Sequence, residues 1–179
     1  MPLFINLITL SRMILGAIIF VLLTRTEMYW YAFILFFLAS ITDYFDGYLA
    51  RTLNQSSKLG TLLDPIADKL LIASVIVVLV DTGVISNIHV VPAIIILLRE
   101  IAISGLREFL AKLNTDMPVS KLAKYKTTFQ MVSLSILIIS LGFELNDLLW
   151  NIGLITLWVA AIITLLSGYN YMVKGLKHI

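Results

Sequence analysis

The chain has 179 residues, of which 60% are hydrophobic, and a formal net charge of +2. A soluble domain of this length would be about half apolar, so the composition excludes an ordinary soluble fold. It indicates an all-α polytopic membrane protein with a single membrane-embedded domain over residues 1–179. The chain contains no cysteine, which excludes disulfides, thiol nucleophiles and cysteine metal sites, and no nucleic-acid partner is expected.

Six apolar stretches of membrane length predict six transmembrane helices. Arg12 interrupts the first stretch and no small-residue cleavage site follows it, so we expect a retained helix and not a cleaved signal. Asn6, Thr9 and Arg12 share one face of this helix, which lies either towards the active site or in the membrane interface. The predicted helices are Leu3–Thr24, Trp30–Leu49, Gly60–Val80, Ile88–Leu110, Lys121–Phe143 and Leu148–Tyr171.

Basic residues are concentrated in alternate links between these helices. They lie in the link 51–58, in the region 112–126 and in the tail 174–177, whereas the opposite loops are mainly acidic. By the positive-inside rule, both termini and the link 51–58 face the cytoplasm.

Four carboxylates flank the link 51–58. Asp43 and Asp46 are three residues apart, and Asp64 and Asp68 are four apart, so each pair shares a helix face. A turn in the link would bring the two helices together and allow the four side chains to converge. Carboxylates so close repel unless cations neutralise them, and oxygen-only ligands suit Mg²⁺ or Mn²⁺, with enough ligands for two ions. Ordinary helix caps and loop charges would explain one such residue but not four beside membrane-length apolar runs.

The stretch 43–68 fits the pattern D-x2-D-G-x2-A-R-x8-G-x3-D-x3-D at every fixed position. This pattern resembles the signature of the CDP-alcohol phosphatidyltransferases, which implies that family's fold and a reaction with CDP-diacylglycerol that releases CMP. The resemblance implies that Asp68 is a metal ligand and also the general base. It implies metal binding by Asp43, Asp46, Asp64 and Asp68, and CDP-lipid binding by Gly47, Ala50, Arg51 and Gly60.

Two further stretches, Arg99–Glu108 and Lys124–Met131, are similar to the bacterial phosphatidylglycerophosphate synthases. This resemblance implies sn-glycerol 3-phosphate as the acceptor, a homodimer, and the bacterial cytoplasmic membrane as the location. One position departs from the family, because Ala123 stands where glycine is usual. The expected ligands of the acceptor's phosphate are Arg99, Arg107, Lys124 and Lys126.

Other interpretations stay open from the residues alone. The arginines could form a network with neighbouring glutamates, and the lysines could serve only membrane topology. The acceptor could instead be inositol phosphate, serine or phosphatidylglycerol. More distant alternatives are an aspartate-rich membrane prenyltransferase and an ion transporter, neither of which would release CMP from a CDP-lipid.

Overall fold

The computed structural model describes six α-helices, which lie where the apolar stretches predict them. The described residues are 2–25, 27–53, 58–113, 121–144 and 146–176. Within these ranges, the side chains at 2–10, 12–13, 43–53, 58–62, 64 and 121 are not described. The helices are α1 (Pro2–Arg25), α2 (Tyr29–Leu53), α3 (Lys58–Asp81), α4 (Val90–Lys112), α5 (Lys121–Gly142) and α6 (Asp147–Leu176), and a 3₁₀ turn, Asn87–His89, precedes α4.

The helices present large apolar side chains outward. Leu98 and Ile101 on α4 are 63% and 67% exposed, and Ile155 on α6 is 63% exposed. By length and apolar composition, two stretches of the described residues are able to cross a membrane, Asn87–Lys112 and Asp147–Leu176. Such exposed apolar faces are unfavourable in water and suited to lipid, so the chain is a membrane protein.

The first of two compact units comprises residues 1–84 and 137–146. Its helix α1 packs against both α2 and α3. The core contains Ile19 from α1, Phe36 from α2 and Val75 from α3, all fully buried. At Gly16 helix α1 approaches α3 closely, because an added Cβ would lie 3.2 Å from the Ser74 hydroxyl oxygen and 3.7 Å from the Leu71 Cα. The unit therefore joins the two helices that carry the aspartate pattern through their common neighbour α1.

The second unit comprises residues 85–136 and 147–179. Here α4 and α6 run parallel. The Trp158 indole N–H donates to His89 Nδ1 across 69 positions of sequence, and Arg99 donates to Ser167 across 68. A nearly constant separation between partners along two helices arises only when the helices point in the same direction. Consequently the basic last turns of α4 and α6, with Lys112 and Lys174, lie at the same end of this unit.

Small and hydroxyl-bearing residues line the buried face of α6. They allow the neighbouring helices to approach closely, which is a common basis of helix packing in membranes. On α5 the Ser133 hydroxyl uses this proximity to donate to the Gly153 carbonyl at 2.9 Å. The buried small and hydroxyl residues of α6 are Gly153, Ala160, Ala161, Thr164, Ser167, Gly168 and Gly175.

Candidate active site

The aspartate pattern lies on two helices, as its spacing predicts. The backbone of α2 is helical through the first pair of aspartates and on to Leu53, and α3 is helical through the second pair. Asp68 is half-buried in the first unit. The other predicted metal-ligating and CDP-lipid-binding residues lie outside the described side chains: Asp43, Asp46, Gly47, Ala50, Arg51, Gly60 and Asp64.

The predicted metal site is supported by the spacing of the four aspartates and by their chemical type. Among the side chains that the structure describes, no three histidines, cysteines or carboxylates cluster closely enough to hold a metal ion. Only Asp68 of the four predicted ligands belongs to that set. The helical backbone keeps residues three or four positions apart on one face, which is the arrangement that the metal prediction requires.

Two of the four predicted phosphate ligands are paired, and of these Lys126 is buried and Arg99 is largely buried. The Arg99 side chain is 10% exposed and the Lys126 side chain 7%. Both contact one carboxylate: Arg99 Nη1 donates to Glu100 Oε1 at 3.2 Å, and Lys126 Nζ forms an ion pair with the same oxygen. Glu100 thus links α4 to α5. Its contact with Arg99 agrees with the alternative interpretation, in which the arginines form a network with neighbouring glutamates.

Helix α6 also holds the Arg99 side chain. Arg99 Nη2 donates to the Ser167 hydroxyl at 3.0 Å. A Cβ added at Gly168 would lie 3.0 Å from Arg99 Cγ and 3.3 Å from Arg99 Nε, so any larger residue would require the arginine side chain to shift by a few tenths of an ångström. Two residues that the sequence reasoning missed therefore position a predicted ligand. Their signal was available, since polar and small residues in an apolar helix usually face the protein interior.

The other two predicted phosphate ligands differ from this pair. Arg107 on α4 and Lys124 on α5 are exposed. Neither side chain forms an ion pair or a hydrogen bond with a residue in the described ranges. An exposed arginine without a protein partner keeps all its N–H groups for an anionic ligand. The structure thus divides the predicted set into two largely buried cations that are paired and two exposed ones that have no partner among the described residues.

Four buried polar atoms of the second unit have no hydrogen-bond partner among the described residues. They belong to one side chain on each of three helices: Arg99 Nε, Gln130 Oε1 and Nε2, and Thr164 Oγ1. Leaving such an atom unpaired away from water costs about 1–3 kcal/mol, so we expect polar atoms of a ligand or of bound water to satisfy them. Gln130 and Thr164 were not among the predicted site residues.

We expect Glu100→Gln to destabilise the protein strongly. The substitution leaves two buried cations without a counter-charge, and losing one partner of a buried ion pair costs about 3–5 kcal/mol. For a chain of this size the melting temperature in detergent should fall by about 10 °C.

The matched control for this measurement is Glu108→Gln on the same helix. Glu108 pairs with Lys112 at 3.7 Å, and both side chains are 75% exposed. Such an exposed pair contributes about 0.5 kcal/mol or less, so the melting temperature should change by about 1 °C. Equal shifts for the two variants would show that Glu100 does not carry the network.

Comparison with known proteins gives a consistent result. The family model described as CDP-alcohol phosphatidyltransferase matches residues 3–166. Three relatives are each named CDP-diacylglycerol–glycerol-3-phosphate 3-phosphatidyltransferase. That of Rickettsia felis is 49% identical over 77% of this chain and 75% of its own length. That of Shigella flexneri is 40% identical over 93% of this chain and 91% of its own length. That of Cereibacter sphaeroides is 34% identical over 97% of this chain and 96% of its own length.

Proposed function

The chain belongs to the CDP-alcohol phosphatidyltransferase family, and from this premise we propose that it transfers the phosphatidyl group of CDP-diacylglycerol to sn-glycerol 3-phosphate. The products are phosphatidylglycerophosphate and CMP, so the protein is a transferase of phospholipid biosynthesis. The observation that carries this proposal is the shared name of the relatives, one of which is 49% identical over about three quarters of both chains.

The family is generally dependent on divalent metal ions. We propose that Asp43, Asp46, Asp64 and Asp68 hold two Mg²⁺ or Mn²⁺ ions. The donor set fits, because all four ligands are carboxylates and the helical backbone of α2 and α3 preserves their spacing. When bound, the ions would neutralise the pyrophosphate and the charge that develops on the departing CMP.

The remaining steps of the reaction are carried out by side chains of the aspartate pattern. Asp68 takes the proton from the primary hydroxyl of the acceptor as that oxygen attacks the phosphorus, because an alkoxide does not form freely near neutral pH. The new P–O ester bond forms while the P–O bond to CMP breaks. Arg51 binds a phosphate of the CDP-lipid, and the small residues Gly47, Ala50 and Gly60 admit the cytidine close to the backbone.

We propose that the acceptor's phosphate binds the basic residues of the second unit. Arg107 and Lys124 are exposed and have no partner among the described residues, so they bind it without losing another ion pair. Arg99 retains its Nε–H as a donor for the same ligand, since its other two nitrogens are held by Glu100 and Ser167. Lys126, which shares the Glu100 carboxylate with Arg99, adds positive charge to this group. A dianionic acceptor explains why two cations on α4 and two in the first turns of α5 lie within these apolar helices.

We propose that the protein spans the bacterial cytoplasmic membrane six times, with both termini and the aspartate pattern on the cytoplasmic side. The parallel arrangement of α4 and α6 supports this orientation, because it places Lys112 and Lys174 at one end of their unit. A homodimer is proposed on family resemblance alone.

The test is CMP release by the purified protein with CDP-diacylglycerol, Mg²⁺ or Mn²⁺, and a panel of acceptors. We expect turnover with sn-glycerol 3-phosphate and none after the metal is removed with a chelator. Turnover with inositol phosphate, serine or phosphatidylglycerol instead would keep the family but overturn the acceptor. No CMP under any condition would overturn the proposed reaction.

A further inference from the structure

Gln130 on α5 has a side-chain environment that packing alone does not explain. Its side chain is completely buried, and neither the amide oxygen nor the amide nitrogen has a hydrogen-bond partner among the described residues. An amide of this kind is more costly to bury than an apolar side chain of similar size, because both polar atoms lose their bonds to water. Methionine or leucine would fill the same space without this cost, which indicates that the amide serves a ligand.

The chemistry of an amide limits what that ligand is. The amide offers N–H donors and a carbonyl acceptor side by side. A phosphate or carboxylate oxygen accepts only and would leave the carbonyl unpaired, and an ammonium group donates only. A hydroxyl group both donates and accepts, so it satisfies both atoms of the amide at once. The unpartnered amide therefore suits an alcohol.

The position of Gln130 relates it to the predicted phosphate ligands of the same unit. It lies four residues after Lys126 on α5, on the same helix face and about 6 Å further along the axis. Lys126 contacts Glu100, whose neighbour Arg99 retains the unpartnered Nε–H. Because the two residues share a face of α5 one turn apart, a small ligand whose phosphate lies near Lys126 is able to place a hydroxyl near Gln130.

We propose that Gln130 is a specificity-determining residue that binds the secondary hydroxyl of the acceptor, an inference that rests on the proposed function. The primary hydroxyl gives up its proton and becomes bonded to phosphorus, so it does not keep a donating and accepting contact with an amide. The secondary hydroxyl is unchanged by the reaction and is free to hold that contact throughout. Gln130 thus selects an acceptor with an alcohol beside the phosphate-bearing carbon.

The experiment compares two acceptors in wild type and Gln130→Met. The second acceptor is 3-hydroxypropyl phosphate, which keeps the phosphate and the reacting primary hydroxyl but lacks the secondary one. We expect wild type to prefer sn-glycerol 3-phosphate by about 100-fold in kcat/KM, because the analogue without the secondary hydroxyl leaves the buried amide unsatisfied in the complex. Gln130→Met should reduce this preference to about threefold, because its thioether cannot donate and accepts only weakly.

The melting temperature supplies a second measurement, because Gln130→Met should lose acceptor preference without losing stability. Because Gln130→Met removes two unpartnered buried atoms, its melting temperature should not fall. The matched control is Ser133→Ala, on the same helix and equally buried, whose hydroxyl is partnered with the Gly153 carbonyl. That variant should melt at a lower temperature and keep the 100-fold preference. Gln130→Leu is measured alongside, so that poor packing of one replacement is recognised.

The outcomes separate this inference from the proposed function. Turnover of sn-glycerol 3-phosphate by wild type, with a preference that persists in both Gln130 variants, would overturn the inference and leave the reaction standing. Equal kcat/KM values of wild type for the two acceptors would also overturn the inference and leave the reaction standing. A lower melting temperature with equal loss for both acceptors would show that Gln130 is structural. Failure of wild type and Ser133→Ala to release CMP would overturn the proposed function itself.

Discussion

Asp68→Asn should abolish turnover while the protein still binds CDP-diacylglycerol. The amide has the shape of the carboxylate but cannot take a proton from the acceptor hydroxyl, and loss of general-base catalysis lowers kcat by about 10²- to 10⁴-fold. Asp68 is half-buried on α3, and the replacement adds no volume there. The measurement pairs kcat for CMP release with equilibrium binding of the CDP-lipid, both at saturating metal ion.

A second aspartate on the same helix provides the control for this experiment. Asp81 ends α3 and is exposed, and it belongs to no part of the aspartate pattern. Asp81→Asn should therefore leave both kcat and lipid binding at the wild-type level. If Asp68→Asn weakened lipid binding as much as turnover, the residue would be a binding or metal-ligating group only, and the general base would have to be sought elsewhere.

Arg107→Ala should raise KM for sn-glycerol 3-phosphate by about 10- to 100-fold, the loss expected when a charge-assisted bond to phosphate is removed. KM for CDP-diacylglycerol should change by less than about threefold, because the two substrates use different ligands in the proposed mechanism. The guanidinium is exposed and has no partner within the described residues, so its removal should not alter the melting temperature. Steady-state kinetics with each substrate varied in turn measures the effect.

Lys112→Ala is the appropriate comparison for Arg107→Ala. Lys112 is an exposed cation at the end of the same helix and pairs with Glu108. Its removal tests whether a loss of positive charge from α4 is sufficient to raise the acceptor KM. Equal effects of the two variants, or a parallel rise in both KM values for Arg107→Ala, would mean that the phosphate does not bind Arg107.

The described helices and the placement of the aspartate pattern could be predicted from the sequence because both depend on local order. In lipid each backbone N–H and C=O must be satisfied within its own segment, so an apolar run of sufficient length forms a helix. The prediction erred at the ends: α2 continues to Leu53 and α6 to Leu176, several residues beyond the apolar runs. Polar residues at helix ends continue the hydrogen-bond ladder without contributing to the hydropathy signal.

The partners of the buried polar groups could not be predicted, because they depend on packing between distant segments. Four cations, two on α4 and two in the first turns of α5, were equivalent candidates in the sequence. The structure separates Arg99 and Lys126, which share Glu100, from the exposed Arg107 and Lys124. The Glu100 contact with Lys126 joins residues 26 positions apart.

What the sequence by itself determined is therefore the family, the helices and the spacing of four carboxylates, since each follows from residues close together in the chain. Only the tertiary structure decided that Gly168 leaves room for the Arg99 side chain and that the Gln130 amide is buried without a partner. Parallel packing of α4 and α6 brings residues about 68 positions apart into contact. No local sequence pattern specifies which polar atoms find a partner in this packing and which do not.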